Sequence, residues 1–270
     1  EPYTIDTLRA ARKVRRLTAG VDVQKDRLEC SLVAWGDGEE GWLLDHQIFP
    51  GDTATPGPWE DLDEYLRDTR VAMVCVDAGY NTSMAMAFCD GKRWALPTKG
   101  VTGMGRPLIE DKRRRQMRLR VRRKKGQPIE PLGVDGAKSL IYARLKLPAP
   151  GPGYLHFPAD PAFDDEYFAQ LAAEQLVKRI RGSRVFSEWK QIRPRNEALD
   201  CLILALAACR LAGPLADVRT SSAGAQPVPS AAGAEIAAAE SASSATQADT
   251  AAQVFAAMMA ARAAKSRVRR

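Results

Sequence analysis

Histidine is scarce in this chain, with only His46 and His156, and the five cysteines, Cys30, Cys75, Cys89, Cys201 and Cys209, form no CxxC pair. A zinc site is therefore poorly supplied, and thiols set inside apolar runs read as reduced core side chains of a cytosolic protein. No apolar stretch reaches the roughly 18 residues of a membrane span. The opening segment, EPYTIDTLRAARKVRRL, has no apolar h-region. A membrane span and a secretory signal are both disfavoured. No GxxxxGK[ST] loop is present, so an ATP-driven motor has no phosphate cradle here. Internal repeats are absent too. The chain opens on Glu and not Met, which predicts a piece of something longer.

What remains is a globular composition. Of 270 residues, 45% are hydrophobic and 27% charged, enough for one large domain or two small ones. Forty Lys and Arg against 33 Asp and Glu leave a net charge of +7. The run KRRRQMRLRVRRKK at 112–125 alone carries ten positive charges and no negative one, so the remaining chain is slightly acidic. Such a segment suits a polyanion partner, because Lys and Arg that neutralise phosphates release condensed counterions. The plainer reading is a solvated loop or a localisation-type patch. Met117, Leu119 and Val121 alternate with Arg118, Arg120 and Arg122, which predicts one arm of a hairpin with a cationic face, protruding beside a groove. Arg113, Arg114, Arg115, Arg118, Arg120, Arg122, Arg123, Lys124 and Lys125 are the candidate DNA contacts.

Three regions follow from the pattern. Residues 1–16 form a basic leader without a clear partner in the chain, 17–212 the folded body, and 213–270 a tail in which 20 of 58 residues are Ala. The tail cannot build a core, although its end places Val254, Phe255, Met258 and Met259 on one helical face ahead of basic residues. In the body, strand-like runs at 17–23, 27–35 and 41–49 are separated by short turns and predict an antiparallel meander. A helix over 58–70 precedes VAMVCVD at 71–77, which is apolar on both faces and reads as a buried central strand. A helix after Asn81, a strand over 93–98, extended structure at 129–134 and a helix capped by Asp135 are expected next. A helix over 162–180, a strand in RVFSEWKQ and a strong helix over 196–211 complete the body.

Three acids stand out against this background. Asp22 interrupts the first strand, where Asp is disfavoured. Asp77 ends a buried strand at its C-terminal edge, where open α/β sheets place ligands. Asp200 lies early in an otherwise apolar helix, where a carboxylate is costly without a cation or metal. Each also has a plain structural explanation as turn, cap or helix-dipole residue. Together, a meander, a helix, a strand with terminal Asp and a late Asp-bearing helix give the order of the ribonuclease H-like fold, an α/β mixed sheet flanked by helices. Oxygen ligands without Cys or His suit Mg²⁺ or Mn²⁺, and two such ions can activate water and stabilise a leaving 3′-oxygen.

The pieces GVDVQKDRLE (20–29), VDAGYNT (76–82), GVDGAKSLIYARL (133–145), GYLHFP (153–158), FAQLAAEQL (168–176) and RNEALDC (195–201) resemble the nuclease half of lambda-type tailed-phage terminase large subunits. Six pieces in order, spread across residues 17–211, are more specific than any single motif. The resemblance implies a ribonuclease H-like endonuclease that cuts concatemeric viral DNA for packaging in the host cytoplasm, with Asp22, Asp77 and Asp200 as catalytic metal ligands. It also implies double-stranded DNA, a terminase small subunit and, through the tail, portal or procapsid as partners. Residues 1–16 then correspond to a linker from an N-terminal ATPase domain. Glu174 and Glu197 are possible accessory acids, and Lys99 and Lys138 possible phosphate contacts, each weighed against an ordinary surface role. The competing function is a non-catalytic DNA-binding and capsid-docking module. A transposase or junction resolvase on the same fold is a third reading, and the acid spacing, 55 residues and then 123, counts against a DDE recombinase.

Overall fold

Tight polar turns let the first three strands fold back on one another. In the computed structural model, which describes residues 2–111, 116, 129–181 and 184–215, β1 (Arg16–Val23), β2 (Arg27–Trp35) and β3 (Gly41–Pro50) form the antiparallel meander that the spacing predicts. Strand alternation sends Ala19, Val21, Val23, Leu28, Cys30 and Leu32 into one core cluster. Thr18, Gly20 and Asp22 consequently line the opposite face.

On the other side of β1 the sheet turns parallel. β4 (Met73–Asp77) pairs with β1, β5 (Ala95–Val101) with β4, and β6 (Glu130–Gly133) with β5. Parallel neighbours need crossovers. These are supplied by α2 (Gly57–Thr69) before β4 and α3 (Thr82–Cys89) before β5, whose Trp59, Leu62, Leu66 and Phe88 cover the Ala19/Val21 face. α4 (Val134–Leu145) follows β6, and β7 (Leu155–His156) adds a short parallel strand beside the start of β3. Among the described residues the sheet has seven strands in the order β6-β5-β4-β1-β2-β3-β7. A three-strand meander extended by parallel strands from its first member is the ribonuclease H-like α/β arrangement expected. The chain then forms α5 (Asp165–Leu171), a separate hairpin of β8 (Glu174–Arg181) and β9 (Arg184–Gln191), and α6 (Glu197–Leu211).

Three local expectations change. The helix predicted over 162–180 stops at Leu171, and residues 174–181 form β8 instead. EQLVKRIR has helix-compatible residues, but pairing with Arg184–Gln191 satisfies the backbone of both segments at once. Asp135 lies inside the first turn of α4 and not at its cap, which is Gly133; its carboxylate accepts the Gly103 amide at 2.7 Å. The leader, expected to lack a partner, carries α1 (Ile5–Ala10), whose Leu8 packs with Leu17, Ala34 and Trp42. Tyr3 anchors it further, its hydroxyl lying 2.7 Å from the Leu43 carbonyl oxygen and 2.9 Å from that of His156.

All five cysteines are buried and free of disulfides. No described helix is long and apolar enough to cross a membrane. The cationic hairpin predicted around Met117–Arg122 and, apart from Gln116, the basic run that contains it lie outside the described residues, as does the tail beyond Leu215.

Candidate active site

The site begins with a glycine. A Cβ on Gly20 would sit 2.0 Å from the Cys201 carbonyl oxygen and 2.5 Å from the Ala205 amide nitrogen, so only glycine lets α6 lie directly on β1. Thr18 secures the packing by donating its hydroxyl to the Ala205 carbonyl at 2.8 Å. Ala205 thus lies over Thr18 and Cys201 over Gly20. One helical turn (about 5.4 Å) nearly matches two strand residues (about 6.6 Å). The next turn of α6, carrying Glu197 and Asp200, therefore falls over Asp22.

Asp77 arrives from the neighbouring strand. The parallel register pairs Val21 with Val76, which puts Asp22 and Asp77 at the next level on adjacent strands. Asp77 ends β4, and its Oδ2 accepts the Gly79 amide at 2.9 Å. Asp22 is buried and accepts from Gln24 Nε2 at 2.6 Å. Asp200 is half-buried and accepts from Asn196 Nδ2 at 3.0 Å.

The acids are coupled, Asp77 acting on Asp22 and both acting on Asp200. Burial, then the charges of Asp77, Glu197 and Glu29, raise Asp22 to about 7 against the opposing bond from Gln24. Asp200 is raised to about 8, by burial first and then by Asp22, with Lys138 opposing. Asp77 is also raised by burial, while the Gly79 amide and the Lys99 charge hold it down. Carboxylates crowded in a partly dry site resist ionisation unless positive charge joins them. A hard divalent cation supplies that charge, and oxygen donors match its preference. The fit is one of charge and donor type. Among the described residues, no three His, Cys, Asp or Glu side chains are already gathered as a metal-holding group.

Around this edge lie the groups that the sequence offers as accessory acids or phosphate contacts, each weighed there against an ordinary surface role. Glu174 at the start of β8 is buried and receives Lys138 Nζ at 2.6 and 2.7 Å, together with Asn196 Nδ2 at 3.0 Å. Glu197 is buried and paired with Arg27, and Arg195 lies 3.4 Å from it. Lys99 is exposed within β5, and its charge reaches Asp77.

A second network is one that no sequence motif announces. Glu29, opposite Asp22 across the β1–β2 pair, is fully buried. Against the upward push of burial, bonds from His46 and Arg27 and the Arg195 charge hold it down to about 2. Arg27 bridges Glu29 and Glu197, while His46 faces Ser31 through Nδ1 at 2.9 Å. The signal lies in GVDVQKDRLE: a tight turn at Lys25-Asp26, closed by the Gln24 amide on the Arg27 carbonyl at 3.0 Å, pairs Val23 with Leu28 and so places Glu29 opposite Asp22 by register alone.

This geometry can be set beside known proteins. Residues 1–219 match the family described as terminase large subunit gpA, endonuclease domain. The chain belongs to that family. As a gpA-type endonuclease domain it is 34% identical over 217 residues to the terminase large subunit of Escherichia phage lambda, covering 74% of this chain and 33% of that protein. Against the large subunit of Enterobacteria phage P21 the identity is 32% over 220 residues, again covering 74% and 33%. The chain thus spans about a third of the length of both relatives. Among solved structures, a mutant nuclease domain of the large terminase subunit gp2 of bacterial virus Sf6, with manganese and beta-thujaplicinol, aligns with a TM-score of 0.45 and 10% identity over 72% of this chain and 87% of that chain. The RuvC protein of T. thermophilus in complex with Holliday junction substrate aligns with a TM-score of 0.30 and 16% identity, covering 71% and 92%.

Proposed function

We propose that this endonuclease domain is metal-dependent and cuts concatemeric viral DNA during genome packaging, as the nuclease module of a terminase large subunit. The observation that carries the proposal is the arrival of Asp22, Asp77 and Asp200 from two adjacent strands and one crossing helix, close enough that Asp77 raises the proton affinity of Asp22 and both raise that of Asp200. These carboxylates would hold Mg²⁺ or Mn²⁺, two ions in this reading. Bound there, the ions would supply an activated water and stabilise the leaving 3′-oxygen of a phosphodiester.

The chain's own residues do the arranging. Gln24, the Gly79 amide and Asn196 each fix one carboxylate by a hydrogen bond. Lys99, exposed and near enough to Asp77 for its charge to hold that acid down, would meet a phosphate oxygen in this reading. The basic run at 112–125 would track the backbone of double-stranded DNA, which positions the duplex without selecting its sequence. Residues 1–16 would lead from an ATPase domain, and the tail would dock on portal or procapsid in the host cytoplasm, with the small subunit as a further partner.

The test is nicking of supercoiled plasmid in Mn²⁺, with and without EDTA. Metal-dependent relaxation is expected. Cutting that survives EDTA would overturn the metal reading, and DNA binding without any cutting would favour the assembly-module alternative.

A further inference from the structure

We infer that Asn196 is a positioning residue whose side-chain amide sets the Asp200 carboxylate, an inference that rests on the proposed role of Asp200 in holding metal. Asn196 occupies the N-cap of α6, where an Asn side chain ordinarily accepts a free backbone N–H of the first turn. It makes no such bond here. Its Nδ2 instead donates to Asp200 Oδ2 and to Glu174 Oε1, both at 3.0 Å, while its Oδ1 accepts from Gln191 Nε2 at 3.2 Å. Facing two carboxylates at once requires two N–H groups on one atom. An amide provides them; an Asp or Ser side chain does not.

The cap that Asn196 forgoes comes from elsewhere. Gln170 of α5, itself buried, accepts the Ala198 N–H through Oε1 at 3.1 Å. This bond from a different helix satisfies the first turn of α6 and leaves Asn196 free to turn toward the acids. The amide is also held from behind. Glu174 is pinned by Lys138, and Glu174 and Gln191 are directly opposite each other at the root of the β8–β9 hairpin. The chain of bonds Lys138, Glu174, Asn196, Asp200 therefore runs from a fixed ion pair to a proposed ligand. Second partners of this kind orient a ligand before the metal arrives.

Asn196→Ser tests the role, because Ser caps helices well but cannot bridge two carboxylates. Mn²⁺ binding to the full chain, measured by titration calorimetry without DNA, should weaken by about tenfold or more. The Mn²⁺ concentration for half-maximal nicking should rise in parallel, with the KM for plasmid and the metal-free Tm unchanged. Gln191→Ala, on the exposed side of the hairpin root, should give a smaller loss in the same direction, and it decides the matter if Asn196→Ser folds poorly. Wild-type Mn²⁺ affinity in both variants would overturn the inference. Asp200→Asn separates the two levels. If it binds Mn²⁺ like the wild type, the metal-site reading falls and the positioning role with it. If it loses Mn²⁺ while both other variants keep it, only the positioning role falls.

Discussion

A carboxylate that keeps its proton near neutral pH carries a cost that the rest of the fold must support. Asp22 and Asp200 are raised to about 7 and about 8, from an ordinary value of 3.8 that the unfolded chain would show. Between these limits the native state binds more protons than the unfolded state, so stability declines as pH rises. Metal-free protein in EDTA should melt at higher temperature at pH 5 than at pH 8, and Asp200→Asn should flatten that difference and raise the Tm at pH 8. A pH series of thermal scans checks this, and an unchanged slope in the variant would count against it. Glu29 works in the opposite sense, since its depressed value near 2 contributes stability that is full above 4.5 and is lost as pH falls toward 2. On the proposed metal-holding role, activity would depend on the acids differently. Replacing Asp22, Asp77 or Asp200 by Asn removes charge stabilisation of about 3 kcal/mol or more, so plasmid nicking in Mn²⁺ should fall by at least about 100-fold. Near-wild-type nicking by any one variant would remove that residue from the site.

At the scale of strands and helices, the meander, β4 and α6 are legible in the sequence because each carries its own period and its own stop signals. Asp22, Asp77 and Asp200 are legible because each is an acid in an apolar setting. Glu29, Asn196 and Gln170 are not, since a Glu in a strand, an Asn before a helix and a Gln within one are unremarkable until register and packing bring them together. β8 reads as helix from its composition because its partner strand, and not its own residues, decides its state. Gly20 is the element-scale hinge of the site. Gly20→Ala would force β1 and α6 apart and should cost about 3 kcal/mol, or roughly 10 °C in Tm. A melting curve within a degree or two of wild type would show that α6 can shift without penalty. The basic run is tested by neutralising Arg118, Arg120 and Arg122 together. The slope of log K for DNA against log salt should fall by about 0.9 for each phosphate no longer neutralised, and an unchanged slope would make the run a solvated loop.

For the whole molecule, the described residues up to Leu215 form one compact unit, and all three proposed acids lie before the Ala-rich tail begins. A chain ending at Leu215 should keep metal-dependent nicking yet fail to capture portal or procapsid in a pull-down. Capture as tight as that of the full chain would dismiss the docking role. Ending the chain earlier would do harm, because the Arg16 guanidinium donates to the carbonyls of Cys209 and Gly213, each at 2.6 Å, and of Pro214 at 3.0 Å. Carbonyls at the end of a helix lack partners within it, and a cation there also suits the helix dipole. Arg16 opens β1, the strand from which the sheet extends in both directions. The latch therefore gives the domain a mechanical property. Tension drawn along the tail enters the central strand through three bonds loaded together, where a bare helix end would unravel one turn at a time. A pull applied at Leu215 is therefore expected to meet Arg16 and β1 before it reaches Asp200 at the far end of α6.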